Sequence, residues 1–107
     1  MARIIWTDPA LSDVELICDY HADFSIAQSA RIMERLFAAT DRLALFPQSG
    51  HFVFDVPETP LREVFSGNYR ILYSYVSHDD VCRIIAVIHG SQSLLKHLED
   101  RDFEFTE

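Results

Sequence analysis

Three short apolar runs in the second half of the chain each carry a side chain that can bind anions. The runs cover residues 61–66, 69–76 and 81–89, and their arginines are Arg62, Arg70 and Arg83. The last run ends on His89, directly before Gly90. A guanidinium group holds a phosphate or carboxylate through paired hydrogen bonds, and a histidine can act as a general acid or base near neutral pH. These residue types predict an anion-recognition surface, provided that the runs bring them to one face.

The spacing within each run indicates which side chains share a face. If the runs are strands, side chains alternate between the two faces with a period of two. Arg70 then lies opposite the tyrosines of its own run, while Arg83 and His89 share a face. Because helices must cover one face of such a sheet, we expect Arg62, Arg70 and His89 to converge on a shared hollow of the other face.

Both features also have purely structural interpretations. Arginines on strands often pair with nearby carboxylates or extend along sheet edges with their charged ends in water. The nearby carboxylates are Glu63, Asp79 and Asp80. A histidine at the end of a buried strand is often a core residue that hydrogen-bonds to backbone. The pattern alone leaves these alternatives open.

The first elements along the chain are a strand and a helix. Residues 2–7 (ARIIWT) predict a short strand, and Asp8-Pro9 begins a helix with Thr7 or Asp8 as its cap. The apolar face of this helix is expected to pack inward. Its acidic residues are expected to point elsewhere; these are Asp13, Glu15 and Asp19.

A second helix and a sheet follow. Ser25-Ile26-Ala27-Gln28 fits a capping box, and Pro47 and Gly50 end the helix that it opens. Residues 51–60 read as irregular. Connections of two to four polar residues between the three apolar runs predict sequential antiparallel strands. The fold class is therefore α+β: an N-terminal strand, a two-helix hairpin, a three-stranded antiparallel meander with helices packed on one sheet face, and a short helix at about 91–100.

Length and charge limit the possible functions. The chain has 107 residues, 49% of them apolar, and a formal net charge of -8 from 9 basic and 17 acidic residues. This predicts one domain, residues 1–107, with an acidic tail at about 99–107. Binding to free nucleic acid is not expected, because it depends on a basic surface.

Several other classes are disfavoured by missing patterns. No apolar run approaches the ~20 residues of a membrane helix, and no secretory signal is visible, so we expect a cytoplasmic protein with reduced Cys18 and Cys82. The histidines and cysteines lack metal-ligand spacing. There is also no glycine-rich phosphate loop and no nucleophile elbow. We therefore expect neither a metal nor a cofactor.

Residues 3 to about 98 resemble the ParE/RelE superfamily, the toxins of bacterial type II toxin–antitoxin modules. The resemblance rests on three segments, which are RLALFPQSG at 42–50, LREVFSGNYRILYSY at 61–75 and RIIAVIHGSQSLLKHL at 83–98. Within them, the most characteristic features are Tyr69-Arg70-Ile71-Leu72-Tyr73 and the strand-terminal Val-Ile-His at 87–89.

The superfamily includes two activities, and the resemblance implies either. RelE-like members cut mRNA on the ribosome, and their catalytic set maps here onto Arg62, Arg70 and His89. ParE-like members poison DNA gyrase and are not nucleases. Other basic or tyrosine positions of the RelE-type set differ in this chain, which has Val64, Ser91-Gln92 and about Leu98 there. The remaining cations are too few to stabilise a phosphorane-like transition state, and a charge of -8 opposes docking on ribosomal RNA.

The helix pair and the ending His89-Gly90 followed by two leucines are closer to ParE. We therefore predict a ParE-like toxin that inhibits growth by poisoning DNA gyrase and forms a hetero-oligomer with a cognate antitoxin; a binding protein is favoured over an enzyme. Arg70→Ala should then keep the fold and weaken toxicity. The predicted target-binding residues are Arg62, Tyr69, Arg70, Tyr73, His89 and Gln92. The alternatives are a RelE-like ribosome-dependent mRNA endonuclease and a degenerate, non-toxic partner that still binds an antitoxin.

Overall fold

The computed structural model describes residues 1–99. The strands are β1 (Arg3–Trp6), β2 (His51–Phe52), β3 (Arg62–Ser66), β4 (Tyr69–Val76) and β5 (Val81–His89). The α-helices are α1 (Asp8–Ala22), α2 (Ile26–Asp41) and α3 (Leu94–Leu98), and one 3₁₀ turn spans Arg42–Ala44. Apart from Glu99, the predicted acidic tail lies outside the described residues.

The five strands form one mixed sheet in the order β1-β5-β4-β3-β2. Strands β3, β4 and β5 are sequential antiparallel neighbours, so the predicted meander is confirmed. The first strand adds to the sheet parallel to β5, which leaves β5 between two neighbours. Within the segment expected to be irregular, His51 and Phe52 form a short edge strand opposite Glu63 and Arg62, so that expectation was wrong there.

Two side-chain caps fix where the helices begin. Thr7 caps α1: its Oγ1 accepts a hydrogen bond from the N–H of Ala10 (3.4 Å) and donates one to the carbonyl of Ile84 (2.7 Å). The Thr7 hydroxyl therefore caps α1 directly after β1 and also connects this junction to β5 by a hydrogen bond. Ser25 caps α2 by accepting a hydrogen bond from the N–H of Gln28 (3.1 Å). Both caps satisfy backbone donors that would otherwise lack a partner.

The sheet separates two apolar layers. On one face, α1 and α2 pack against side chains such as Ile71, Tyr73 and Ile84, as the predicted one-sided helix layer requires. The centre of the other face is covered by the loop before β3 and by α3. Its buried members include Val53, Leu61, Leu72, Ile88 and Leu94. The centre of the second face is thus closed in the part of the chain that the structure describes.

A β-bulge in β5 reverses the predicted alternation. Leu72 pairs with Ala86 but Tyr73 pairs with Ile84, so Ile85 has no partner in the ladder. An extra residue shifts the side-chain period by one. His89 therefore pairs with Tyr69 on the helix-covered face, whereas Arg83 pairs with Ser74 on the opposite face. The expectation that Arg83 and His89 share a face was wrong.

Asp13 also lies where the helical pattern did not place it. Asp13 is only 5% exposed, although its side chain was expected to point away from the core. One carboxylate oxygen accepts the N–H of Val87 (2.9 Å), two residues beyond the bulge, and the other lies 3.2 Å from Nε2 of His97. A buried carboxylate is tolerable because these partners satisfy it. Asp13 thereby links α1, β5 and α3.

Candidate functional site around the β3–β4 turn

The hairpin tip, as we call it, consists of Ser66 at the end of β3 and the turn residues Gly67 and Asn68. Gly67 adopts a left-handed backbone (φ 59°), which a glycine reaches without steric cost. The carbonyl of Asn68 accepts the N–H of Gly90 (2.7 Å). A Cβ on Gly90 would lie 3.3 Å from that carbonyl oxygen, so a glycine suits this close approach. The bond holds the hairpin tip beside the end of β5, where His89 lies.

A cavity of about 490 Å³ opens between the hairpin tip and the two long helices. Helix α1 contributes Tyr20 and His21, and α2 contributes Gln28, Ile32 and Arg35. The sheet side contributes Tyr69 and His89 beside the hairpin tip. A concave space of this size is typical of small-ligand sites.

Tyr69 connects two histidines inside this cavity. Its hydroxyl lies 2.8 Å from Nε2 of His21, and its ring meets the ring of His89 edge to face at 5.5 Å between centroids. Burial raises the pKa of the Tyr69 hydroxyl, which therefore stays protonated and can donate a hydrogen bond. The three rings form a rigid wall, because each belongs to a different regular element.

The orientation of the His89 ring is set by the residues that follow it. Nδ1 accepts the N–H of Ser91 (3.1 Å) and lies 2.7 Å from the Ser91 hydroxyl. Since a backbone N–H can only donate, Nδ1 is an acceptor and the ring hydrogen is on Nε2. The side-chain oxygen of Gln92 accepts the N–H of His89 (2.9 Å). Gln92 therefore supports His89 and does not line the cavity.

Arg70 lies near His89, but its guanidinium is already hydrogen-bonded to two carboxylates. Both residues line a second, shallower hollow beside the hairpin tip. The Nε of Arg70 donates to Glu63 (2.8 Å), and its terminal nitrogen donates to Asp55 (2.8 Å). The hydrogen bond from Arg70 lowers the pKa of the Asp55 carboxyl, and the same contact raises the pKa of Arg70. Pairing with Glu63 was one of the two interpretations left open by the sequence.

Arg62 and Tyr73 belong to a separate structure on the helix-covered face. Arg62 pairs with Tyr73 across the strands, donates to the carbonyls of Gly50 (2.8 Å) and Gln48 (3.2 Å), and stacks over the ring of Phe52. Tyr73 is fully buried; its hydroxyl donates to the carbonyl of Pro47 and accepts the N–H of Gly50, both at 2.9 Å. Any contribution of Tyr73 to target binding would have to be indirect.

The predicted site residues thus fall into two groups. Tyr69, Arg70 and His89 meet around the hairpin tip, although Arg70 approaches from the opposite sheet face. The guanidinium of Arg62 is committed to the turn before β2, so the three predicted anion-binding residues do not converge on one hollow. Sequence reasoning did not single out Arg35. His21 falls on the apolar face that the helical spacing of Ala10, Val14 and Cys18 predicts for α1, but nothing in the sequence indicated that it meets Tyr69.

The described residues give less support to three other features: a reactive cysteine, a metal site and a membrane helix. Both cysteines are free and buried, and burial raises the pKa of Cys82 to about 11 and also raises that of Cys18. Within residues 1–99, no group of three or more His, Cys, Asp or Glu side chains is arranged to hold a metal ion. None of the helices described is both long enough and apolar enough to cross a membrane.

The described residues form a small α+β domain with a cavity at the ends of its strands, and comparison with known proteins places the chain in a family. The family described as the ParE toxin of the type II toxin–antitoxin system parDE matches residues 4–94. Toxin RelE2 of Caulobacter vibrioides is 32% identical over 92 residues, which cover 86% of this chain and 99% of that toxin.

Two solved structures share the fold. A chain of the chromosomal ParDE system from P. aeruginosa superposes with a TM-score of 0.70 at 14% identity, covering 83% of this chain and 96% of that one. The RelBE2 toxin–antitoxin complex from Mycobacterium tuberculosis gives a TM-score of 0.55 at 19% identity, covering 82% and 90%. The chain belongs to the ParE toxin family and is a type II toxin–antitoxin toxin of the ParE/RelE superfamily.

Proposed function

We propose that this toxin inhibits growth by binding a protein target, DNA gyrase, and that it does not cut mRNA. The observation that carries the proposal is the state of Arg62 and Arg70, the two strand arginines that match the RelE-type catalytic set. Arg70, which matches the phosphate-holding arginine of RelE-like nucleases, is held by Glu63 and Asp55, and Arg62 by two backbone carbonyls. A nuclease must aim cations at the charge that develops on the phosphate. Here both guanidinium groups are already occupied.

The target-binding surface that we propose is the region around the hairpin tip. Tyr69 and His89 are partly exposed there, and their orientations are fixed by hydrogen bonds to His21, Ser91 and Gln92. Rings presented in fixed orientations lose little conformational entropy on binding, which is why such residues are frequent at interface hot spots.

A cognate antitoxin is the second partner that we propose. Helices α1 and α2 and the connection between them expose large apolar side chains, among them Leu16 (69% exposed), Phe24 (78%) and Ile26 (79%). An amphipathic helix laid across such a surface would bury them. The P. aeruginosa and M. tuberculosis structures come from systems described as toxin–antitoxin pairs, which supports a cognate antitoxin partner here.

One observation favours a second candidate function. The C. vibrioides relative at 32% identity is called RelE2. A ribosome-dependent mRNA endonuclease using Arg62, Arg70 and His89 is therefore the alternative to be tested.

Induced expression separates the two functions. The full chain is expressed under a tight promoter without any antitoxin, and plasmid supercoiling and mRNA integrity are followed in the same cultures. Under the proposal, growth stops with altered supercoiling and intact mRNA. Cuts at codon-defined positions, reproduced with purified ribosomes, would favour the endonuclease, and unaffected growth with soluble toxin present would favour a non-toxic protein.

Two substitutions of Tyr69 test whether the hairpin tip contacts the target. Tyr69→Phe removes only the hydroxyl that meets His21, whereas Tyr69→Ala also removes the ring. If the hairpin tip contacts the target, Tyr69→Ala should relieve growth arrest more than Tyr69→Phe at equal amounts of soluble protein. Tyr75→Ala is the matched control, since Tyr75 is a partly buried tyrosine near the other end of β4. Equal toxicity of the wild type and Tyr69→Ala would remove the hairpin tip from the proposed surface.

A further inference from the structure

The space around the hairpin tip contains arginines without carboxylate partners. Arg35 lines the 490 Å³ cavity and also an adjoining hollow of about 450 Å³, which Arg42 lines as well. Both arginines are exposed; Arg35 lies in the second half of α2, and Arg42 is the C-cap residue of this helix. Within residues 1–99, neither forms an ion pair with an acidic side chain.

The absence of negative charge here is unusual for this chain. The sequence has 17 acidic residues among 107. Among the described residues, no aspartate or glutamate lines the cavity or either of its two neighbouring hollows. Free guanidinium groups in a concave site without acidic residues create a local positive potential on an otherwise negative protein. Such a site favours an anion, and a phosphate suits the guanidinium geometry.

The other residues that line the cavity suit a ligand larger than a simple anion. Gln28 and Asn68 bring side-chain amides, each able both to donate and to accept hydrogen bonds, as the edge of a nucleobase requires. Tyr20 is 63% exposed at the same cavity and offers an aromatic face for stacking. The Nε2–H of His89 is available as a further donor, because Ser91 occupies Nδ1.

We propose that this cavity binds a single nucleoside phosphate, with the phosphate on Arg35, the base between Tyr20 and the amides of Gln28 and Asn68, and Arg42 adding positive charge from the adjoining hollow. A volume of 490 Å³ accommodates one nucleotide but not a strand. The net charge of -8 likewise disfavours a polynucleotide, which would meet repulsion beyond the cavity. The cavity shares Tyr69 and His89 with the proposed target-binding surface, but binding of a small ligand is measured without the target.

Titration of the purified full chain tests the site. The probes are the 5′-monophosphates of adenosine, guanosine, cytidine and uridine, with inorganic phosphate and a hexaglutamate peptide for comparison. Binding is measured by calorimetry and by backbone amide NMR shifts. At least one nucleoside monophosphate should bind more tightly than inorganic phosphate and shift the amides of Asn68, Tyr69 and His89.

Three variants decide the role of the arginines. Arg35→Gln and the double variant Arg35→Gln/Arg42→Gln should weaken nucleotide binding by about tenfold or more, since each removes charge-assisted hydrogen bonds. Arg83→Gln makes the same charge change on the opposite sheet face, away from the cavity, and should leave the affinity unchanged. Circular dichroism confirms that the variants are folded; the three arginines are exposed.

Four results would overturn the inference. They are no saturable nucleotide binding, equal affinity for nucleotide and inorganic phosphate, tighter binding of hexaglutamate, and equal weakening by Arg83→Gln. A lack of nucleotide binding would not change the result expected from the growth-inhibition assays, so the two proposals are tested separately.

Discussion

On the sheet face opposite α1 and α2, the Nε of Arg70 donates a hydrogen bond to Oε2 of Glu63 (2.8 Å). The side chain of Glu63 is only 5% exposed and that of Arg70 is 13% exposed. The other oxygen of Glu63 lies 2.8 Å from His51, and the other end of Arg70 binds Asp55. Four side chains from the β2 edge, β3, β4 and the intervening loop therefore form one network. It fixes the loop onto the sheet and at the same time occupies the arginine that a nuclease would need.

Arg70→Ala should consequently reduce stability as well as toxicity. Removal of the guanidinium leaves a buried carboxylate with only His51 as a partner, and we expect the free energy of unfolding to fall by about 2–3 kcal/mol. This revises the expectation that the substitution leaves the fold unaffected. Urea unfolding at neutral pH measures the loss. The exposed Arg83→Ala serves as the control and should stay within about 0.5 kcal/mol of the wild type. If Arg70→Ala is equally stable, the network has no energetic role.

Asp55 should make stability sensitive to acid. Arg70 lowers the pKa of Asp55 in the folded state, so its contribution is complete above the unfolded pKa of about 3.9 and is lost as the pH falls through the lower folded value. Asp55→Asn cannot titrate. The difference in unfolding free energy between wild type and Asp55→Asn should therefore shrink as the pH falls from about 6 to about 2.5. Glu58→Gln, an exposed change in the same loop, is the control for the loss of one carboxylate. A pH-independent difference between wild type and Asp55→Asn would contradict the assignment.

Gly50 is required by the buried hydroxyl of Tyr73. A Cβ on Gly50 would lie 2.6 Å from that hydroxyl and 2.7 Å from the backbone oxygen of Glu63. Since neither neighbour can move freely, Gly50→Ala should destabilise the protein by about 1–3 kcal/mol through overpacking. Gly67→Ala is the comparison: it has open space but a positive φ, and should cost about 1 kcal/mol. Thermal unfolding ranks the two variants, and a smaller loss for Gly50→Ala would mean that the turn relaxes.

Local patterns predicted the elements well, because local interactions decide them. Strands 69–76 and 81–89 have the predicted bounds, and Thr7 and Ser25 cap the helices as expected. The short strand at His51 could not be read from two residues, because it forms by pairing with β3, which lies about ten residues further along the chain. Its residues resemble those of the surrounding loop.

The arrangement of the site depended on features that leave little trace in the sequence. Residues 84–88 are all apolar, so the bulge at Ile85 produces no visible break in alternation, yet it decides which face His89 occupies. Arg62 binds backbone carbonyls, which every residue carries, so its partners cannot be recognised by type. Asp55 lies 15 residues before Arg70 in a loop, and only the fold brings them together.

The burial of Asp13 gives the last prediction, which concerns the connection between the helices and the sheet. Asp13→Ala leaves the N–H of Val87 without its acceptor in a buried position, and an unsatisfied buried donor costs about 1–3 kcal/mol. Asp13→Asn keeps an oxygen that can accept this bond and should lose less. Asp19→Ala, an exposed change on the same helix, should be close to neutral. Chemical unfolding gives the ranking, and hydrogen exchange at Val87 supplies a local readout. Faster exchange at Val87 in Asp13→Ala than in Asp19→Ala is expected, because this N–H is protected by the Asp13 carboxylate; equal exchange in the two variants would mean that Asp13 does not hold the strand beside its bulge.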